Sequence, residues 1–217
     1  MTRPLVVAAS LLAATTALSV LSVAPAWAHA RVVSSSPGEG TVVNSLTTAR
    51  LTFSESVTGT AYALRVLNST GATLSGPARV SGASVTAAVR SAPAGRYALV
   101  YRVTSADGHT VANAVGFSVR LPDPSSSPNT LRLSGESVRL SGTRVGTRTL
   151  RLRGDLRRAI GQVRWRLPGI PEPFTWSLAN GRATGMLPFA GSYSVTVTAY
   201  TSASSTRTLT GVVRITS

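Results

Sequence analysis

Cysteine is absent from the 217 residues, which excludes disulfides, thiolate zinc sites, iron–sulfur clusters and thiol nucleophiles. Lysine is absent too: all 22 basic residues are arginine, against 7 acidic ones, for a formal net charge of +15. The only histidines are His29 and His109, so a three-histidine metal site within one chain is excluded. Charged residues make up 13% and aromatics 6%, which fits neither a disordered polyelectrolyte nor a coiled coil. No window holds a helical period, and beyond residue 28 no apolar run approaches the roughly 20 residues that span a bilayer. What remains is rich in Ser, Thr, Gly, Ala and Val, the composition of a β-rich soluble chain.

Residues 1–28 have the parts of a secretory signal. Arg3 supplies the positive start, residues 5–23 an apolar core, and Ala26-Trp27-Ala28 a small-x-small cleavage pattern. The chain is therefore expected to be exported to the periplasm, cell envelope or exterior, and not to be integral to the membrane. Cleavage after Ala28 would make His29 the first residue. An α-amine ordinarily titrates at about 7.7–8.0 and an imidazole at about 6.5, so a metal can displace protons from both near neutral pH. The two nitrogens would form a bidentate chelate on one residue. The plainer alternative is that cleavage merely exposes a histidine.

Residues 29–121 read as short strands. Arg50-Leu51-Thr52-Phe53 and segments 62–67, 85–90, 96–103 and 115–119 are apolar, alternating or β-branched, and turn clusters such as Asn68-Ser69-Thr70-Gly71 separate them. Pro122-Asp123-Pro124-Ser125-Ser126-Ser127-Pro128 marks a Pro/Ser linker, taken as 122–129. Residues 130–217 are again strand-like, with Trp165, Phe174 and Trp176 expected in a core rather than as a carbohydrate platform. The fold class is all-β: two immunoglobulin-like or Greek-key sandwiches in tandem, expected to be separate. The modules share an ending. Ala94-Gly95-Arg96-Tyr97 parallels Ala190-Gly191-Ser192-Tyr193, which sets Phe117 and Val119 on Val213 and Ile215. In that register Asp107-Gly108-His109 falls on Ala203-Ser204-Ser205, so the second module lacks any ligand there.

Asp107-Gly108-His109 lies between two strands. Asp-Gly is a favoured hairpin dipeptide, and on that reading His109 simply follows a turn. Alternatively, residues two apart in an extended segment share a face, so Asp107 and His109 would converge on a ligand that Gly108 lets approach. With the His29 chelate this makes three nitrogens and one carboxylate oxygen. Such a set suits Cu(II), although zinc could use the same donors. Beyond residue 28 the single methionine is Met186, so soft ligands for Cu(I) are lacking.

At this point four segments resemble the CopC-like copper-resistance family. They are the start His29-Ala30-Arg31-Val32-Val33-Ser34-Ser35-Ser36-Pro37-Gly38-Glu39-Gly40, the run Leu51-Thr52-Phe53-Ser54-Glu55, the stretch from Gly95-Arg96-Tyr97 through Tyr101-Arg102-Val103-Thr104-Ser105-Ala106-Asp107-Gly108-His109, and Gly116-Phe117-Ser118-Val119. Tyr101 stands where the family usually has Trp. The resemblance spans about residues 28–120. It implies a β-sandwich that binds one Cu(II) per chain in an exported compartment, with His29, Asp107 and His109 as ligands. Glu55 matches a family glutamate near the site, as a weak ligand or a group that orients His29. Residues 29–121 contain no methionine, unlike members with a Met-rich Cu(I) site, which speaks against Cu(I) storage.

The expected function is copper sequestration, resistance or delivery by a non-enzyme. Its partners would be the copper ion, a membrane copper importer or another copper-handling protein. Residues 130–217 hold 13 arginines against three acidic residues, an excess that favours anionic surfaces. For an exported chain these are cell-envelope polymers or lipid headgroups rather than nucleic acid. Arg148-Thr149-Leu150-Arg151-Leu152-Arg153 and Val163-Arg164-Trp165-Arg166 are expected to present arginine on outward strand faces. Two alternatives belong to other classes: a histidine-brace copper monooxygenase-like enzyme, and a two-domain adhesion or structural module.

Overall fold

The computed structural model describes residues 29–121, 128–134, 136–141, 145–202 and 205–216. The expected leader at 1–28 and most of the expected linker, residues 122–127, lie outside them. The chain is all-β, as two sandwiches in tandem. In the first, β1 (Val32–Ser36), β3 (Thr48–Phe53), β6 (Ser84–Val89) and β5 (Ser75–Ser81) form one sheet in the order β1-β3-β6-β5. Facing it are β4 (Leu64–Leu67), β7 (Gly95–Thr104) and β8 (Thr110–Val119), with β2 (Val42–Val43) parallel to β8. The alternation in β3 fixes its register: Ala49, Leu51 and Phe53 are buried, while Thr48 and Arg50 face solvent.

In the second sandwich, β9 (Pro128–Leu133), β10 (Glu136–Ser141), β11 (Gly146–Arg151) and β14 (Arg182–Leu187) form one sheet, ordered β14-β11-β10-β9. The facing sheet holds β12 (Ile160–Arg166), β13 (Phe174–Leu178), β15 (Gly191–Ser202) and β16 (Ser205–Ile215). Pro128 and Asn129, read as linker from composition, open β9. Trp165, Phe174, Trp176 and Tyr193 are buried together as the aromatic centre of this core. Arg164, Arg166, Arg151 and Arg153 are exposed as expected. Arg148 is not: it shares inward parity with Leu150 and is 1% exposed, with Nη1 donating to the Thr147 carbonyl at 2.7 Å.

The paired endings are equivalent in space. The Tyr97 hydroxyl donates to the Pro93 carbonyl at 2.7 Å, and the Tyr193 hydroxyl to the Phe189 carbonyl at 3.0 Å. Each closes the tyrosine corner typical of immunoglobulin-like sandwiches. Tyr97 pairs with Phe117 and Gly95 with Val119, as Tyr193 pairs with Val213 and Gly191 with Ile215.

The expectation of two separate sandwiches needs correcting. β13 pairs in parallel with β8 through Phe174 and Ala114, joining the two facing sheets edge to edge. The reason lies in β7, where residues 97–101 are buried without interruption. Tyr97, Leu99 and Tyr101 point into the first core, whereas Ala98 and Val100, with Leu67 and Ala114, belong to the second. A strand covered on both faces loses its alternation. Polar groups close the same seam. Asn113 Oδ1 accepts from the Thr175 N–H at 2.7 Å, and the Ala114 N–H donates to the Pro173 carbonyl at 2.8 Å. The guanidinium of Arg102 forks onto Glu172 at 2.9 and 3.3 Å. The Glu39 carboxylate accepts from Met186 N–H at 2.5 Å and Gly116 N–H at 3.3 Å.

Gly116 is required here because a Cβ would lie 2.9 Å from both the Cβ and the carbonyl oxygen of Met186. Gly116→Val should therefore overpack the seam and destabilise the chain by about 1–3 kcal/mol. Denaturant unfolding reads this, and an unchanged midpoint would contradict the tight seam. Tyr97→Phe and Tyr193→Phe should each cost about 1 kcal/mol, the net worth of one hydrogen bond. Near-equal losses in thermal unfolding would confirm that the two corners do the same job; a null effect in either would not.

Candidate metal centre

The site sits at the end of the first sandwich where the β7–β8 hairpin turns. Ser105 N–H donates to the His109 carbonyl at 2.9 Å and Gly108 N–H to the Ser105 carbonyl at 3.0 Å, leaving a three-residue loop, 106–108. Gly108 adopts φ +82°, the left-handed conformation that closes such loops. Asp107 and His109 thus lie in and just after a turn, not in an extended segment. Their convergence comes from an Asx turn, in which Asp107 Oδ1 accepts the His109 backbone N–H at 3.1 Å. The two readings of Asp-Gly-His, turn and ligand pair, turn out to be compatible.

His29 reaches this turn because the residues after it are pinned. Ala30 is buried in the first core at 3% exposure. Arg31 N–H donates to Ser54 Oγ at 3.1 Å, and Ser54 N–H returns to the Arg31 carbonyl at 2.9 Å. The segment after Ser54 is held to the hairpin by reciprocal bonds between Thr58 and Thr104 at 2.9 and 2.8 Å. Three sequence-distant pieces, 29–31, 54–58 and 104–110, therefore meet at one end of the sandwich.

There His29 Nδ1 lies 2.7 Å and His109 Nδ1 3.3 Å from the same oxygen, Asp107 Oδ2. The imidazole rings are 4.4 Å apart, centre to centre. One ligand atom from each of His29, Asp107 and His109 falls within 4.8 Å of the others. Donors about 2.0–2.1 Å from one ion stand at most about 4.2 Å apart. The two Nδ1–Oδ2 separations, 2.7 and 3.3 Å, already lie within that limit. The rings are 57% and 66% exposed, so the site is open to exchange with solvent or a partner.

Asp107 is held well below the usual carboxylate range. The Ser105 hydroxyl is the chief cause; partial desolvation opposes it, and the His109 N–H and both imidazoles add to it. Asp107 is therefore anionic near neutral pH and attracts a cation. Ser105 is the residue that sequence reading missed, although Ser105-Ala106-Asp107 contains it. Its Oγ reaches both Asp107 Oδ1 and the His109 carbonyl. The Glu55 carboxylate accepts from Ala106 N–H at 3.3 Å, so it braces the loop that carries Asp107. Ser105→Ala should raise the Asp107 midpoint toward the ordinary value of about 3.9. A carboxyl-carbon NMR titration measures it; an unmoved midpoint would remove Ser105 from the site.

Among known proteins, the family model of the CopC domain matches residues 32–120. CopC from Methylosinus trichosporium OB3b is similar at 27% identity, covering 42% of this chain and 93% of that one, with a TM-score of 0.38. Fibronectin(III)-like modules of Clostridium thermocellum CbhA align over 86% of this chain and 94% of theirs, at 14% identity and a TM-score of 0.29. The N-terminal Ig1-2 module of Drosophila receptor protein tyrosine phosphatase DLAR aligns over 85% and 96%, at 12% identity and a TM-score of 0.26. No curated protein matches the chain. No helix among the described residues is long and apolar enough to cross a membrane.

Proposed function

With residues 32–120 a CopC domain, we propose that this chain is an exported protein that binds one Cu(II) for copper sequestration, resistance or delivery. The observation that carries the reading is the convergence of His29, Asp107 and His109 within 4.8 Å. Two imidazoles and an anionic carboxylate suit Cu(II), and the chain offers no thiolate that would favour a softer ion. His29 Nδ1, the nitrogen nearest Asp107, is also the one that closes a six-membered chelate ring with its own α-nitrogen. In the full chain that nitrogen is a peptide amide following Ala28. Removal of residues 1–28 converts it to an amine and completes a set of three nitrogens and one oxygen.

The chain is read as a carrier rather than an enzyme, passing its ion to a membrane importer or another copper-handling protein. The exposure of both rings supports such transfer. Its arginine excess gives it a second, anionic partner in the cell envelope. Copper-loaded protein with a reductant should leave chitin and cellulose unoxidised; release of oxidised sugars would favour the monooxygenase alternative.

A Cu(II) competition titration on three proteins tests the site. The form beginning at His29 should take one Cu(II) tightly. A form with one added residue ahead of His29, and His109→Ala in the mature form, should each bind more weakly by upwards of roughly tenfold, the least that loss of even an outer partner produces. Binding should also weaken on acidification, as protons compete for the imidazole nitrogens. Equal affinity across the three would place the ion elsewhere.

A further inference from the structure

The second sandwich carries a charge arrangement that its own stability does not explain. Arg139 on β10 stands directly opposite Arg151 on β11, and Arg151 directly opposite Arg182 on β14. All three are exposed on the outer face of that sheet. Adjacent strands are about 4.8 Å apart, so the row crosses about 10 Å of surface. Like charges directly opposite one another across strands are destabilising. Leu152 N–H donates to the Gly181 carbonyl and Gly181 N–H to the Ala159 carbonyl, each at 2.8 Å, tying segment 152–159 to the start of β14. Exposed Arg153, Arg157 and Arg158 thereby extend the row around the end of the sandwich.

Among the described residues no carboxylate neutralises these six arginines. The acids that share these elements, Glu136 at the start of β10 and Asp155 in segment 152–159, are already engaged: Arg207 binds them at 2.7 and 3.1 Å. An uncompensated row of planar, fork-shaped cations matches successive tetrahedral anions, because each guanidinium can grip two phosphate oxygens. We propose that the outer face of β10, β11 and β14 binds a linear phosphate-bearing polymer, with Arg139, Arg151 and Arg182 gripping successive phosphates. The proposal deepens the anionic-partner element of the function proposed above and is independent of the copper site.

The face itself selects among polyanions. Among the described residues the exposed large apolar ones are Val33, Val42, Tyr62, Ile160, Tyr200 and Val212, and none of them lies on β10, β11 or β14. A membrane-docking face would present apolar side chains for insertion beside its cations. A single-stranded nucleic acid would call for aromatic rings on which bases stack. This face instead offers hydroxyls beside the arginines, with Thr149 and Thr184 3.0 Å apart, Oγ1 to Oγ1. Such a surface suits a polymer of phosphate and polyol units.

The test uses inorganic polyphosphate as probe and the full exported chain from His29. Binding is titrated over a range of salt for the parent, for Arg139→Gln/Arg151→Gln/Arg182→Gln, and for a control of equal charge loss in the first sandwich, Arg50→Gln/Arg79→Gln/Arg90→Gln. The row variant should lose affinity and flatten the log–log salt dependence by about 2, three phosphate contacts at about 0.7 each. It should melt no lower than the parent, since its like-charge pairs are gone. The control should keep the parent's slope. Equal weakening of both variants would overturn the proposal in favour of a general effect of net charge. Tighter capture by phosphatidylglycerol vesicles or by single-stranded DNA, at matched phosphate, would overturn it in favour of a bilayer or a nucleic acid. Cu(II) uptake by the row variant should equal the parent's, so failure of the copper site and failure of this surface are read separately.

Discussion

The ten-pair antiparallel ladder between β7 and β8 is the element on which the rest of the molecule depends. One face of β7 contributes Tyr97, Leu99, Tyr101 and Val103 to the first core. Its other face contributes Ala98 and Val100 to the second. β8 continues laterally into β13 through Ala114 and Phe174. The turn at the far end of the ladder carries Asp107 and His109. A single hairpin thus holds the first core together, supplies the wall against which the second sandwich packs, and aims two of the three candidate ligands. Its residues tolerate little change in size, because a strand buried on both sides has no solvent face into which a larger side chain could turn.

The candidate metal centre rests on preformed electrostatics rather than on burial. Asp107 is fixed by the Ser105 hydroxyl and the His109 N–H, both on its own turn, and its second oxygen faces the two imidazoles. Such a cluster holds negative charge at the surface with its donors already gathered, so little ordering remains when a cation arrives. In the proposed function the fourth donor depends on covalent processing: an amide nitrogen must lose a very weakly acidic proton to bind, whereas an amine need only lose the proton of an ammonium. Export and assembly of the site are in this way one event in the proposed function.

The two sandwiches share local architecture and differ in what it carries. Their tyrosine corners and the ladders that follow run in the same register. The first module places a carboxylate and an imidazole at its hairpin turn; in the sequence register of the shared ending, the second has Ala203-Ser204-Ser205 instead. The second module instead carries arginine in cross-strand register on an exposed strand face.

Much of this was legible in the residues themselves. Alternation in segments such as Arg50-Leu51-Thr52-Phe53 sets β-strand and facing, because side chains on a strand have a period of two whatever surrounds them. The absence of cysteine and the scarcity of histidine narrowed the metal chemistry to His29, Asp107 and His109, and family motifs pointed to the same three. The repeat of Gly-x-Tyr predicted the ladder register in both modules. The run Tyr97-Ala98-Leu99-Val100-Tyr101 already held the sign of a doubly covered strand, since no polar residue interrupts it, but which element covers it is a long-range matter. Only the tertiary structure decided that β13 joins β8, that Arg148 points inward, that Ser105 sets the charge of Asp107, and that Arg139, Arg151 and Arg182 form a row. Each of these depends on which strands are neighbours and in what register. Local sequence determines periodicity, whereas neighbour and register are chosen by how much apolar surface the whole chain can bury at once.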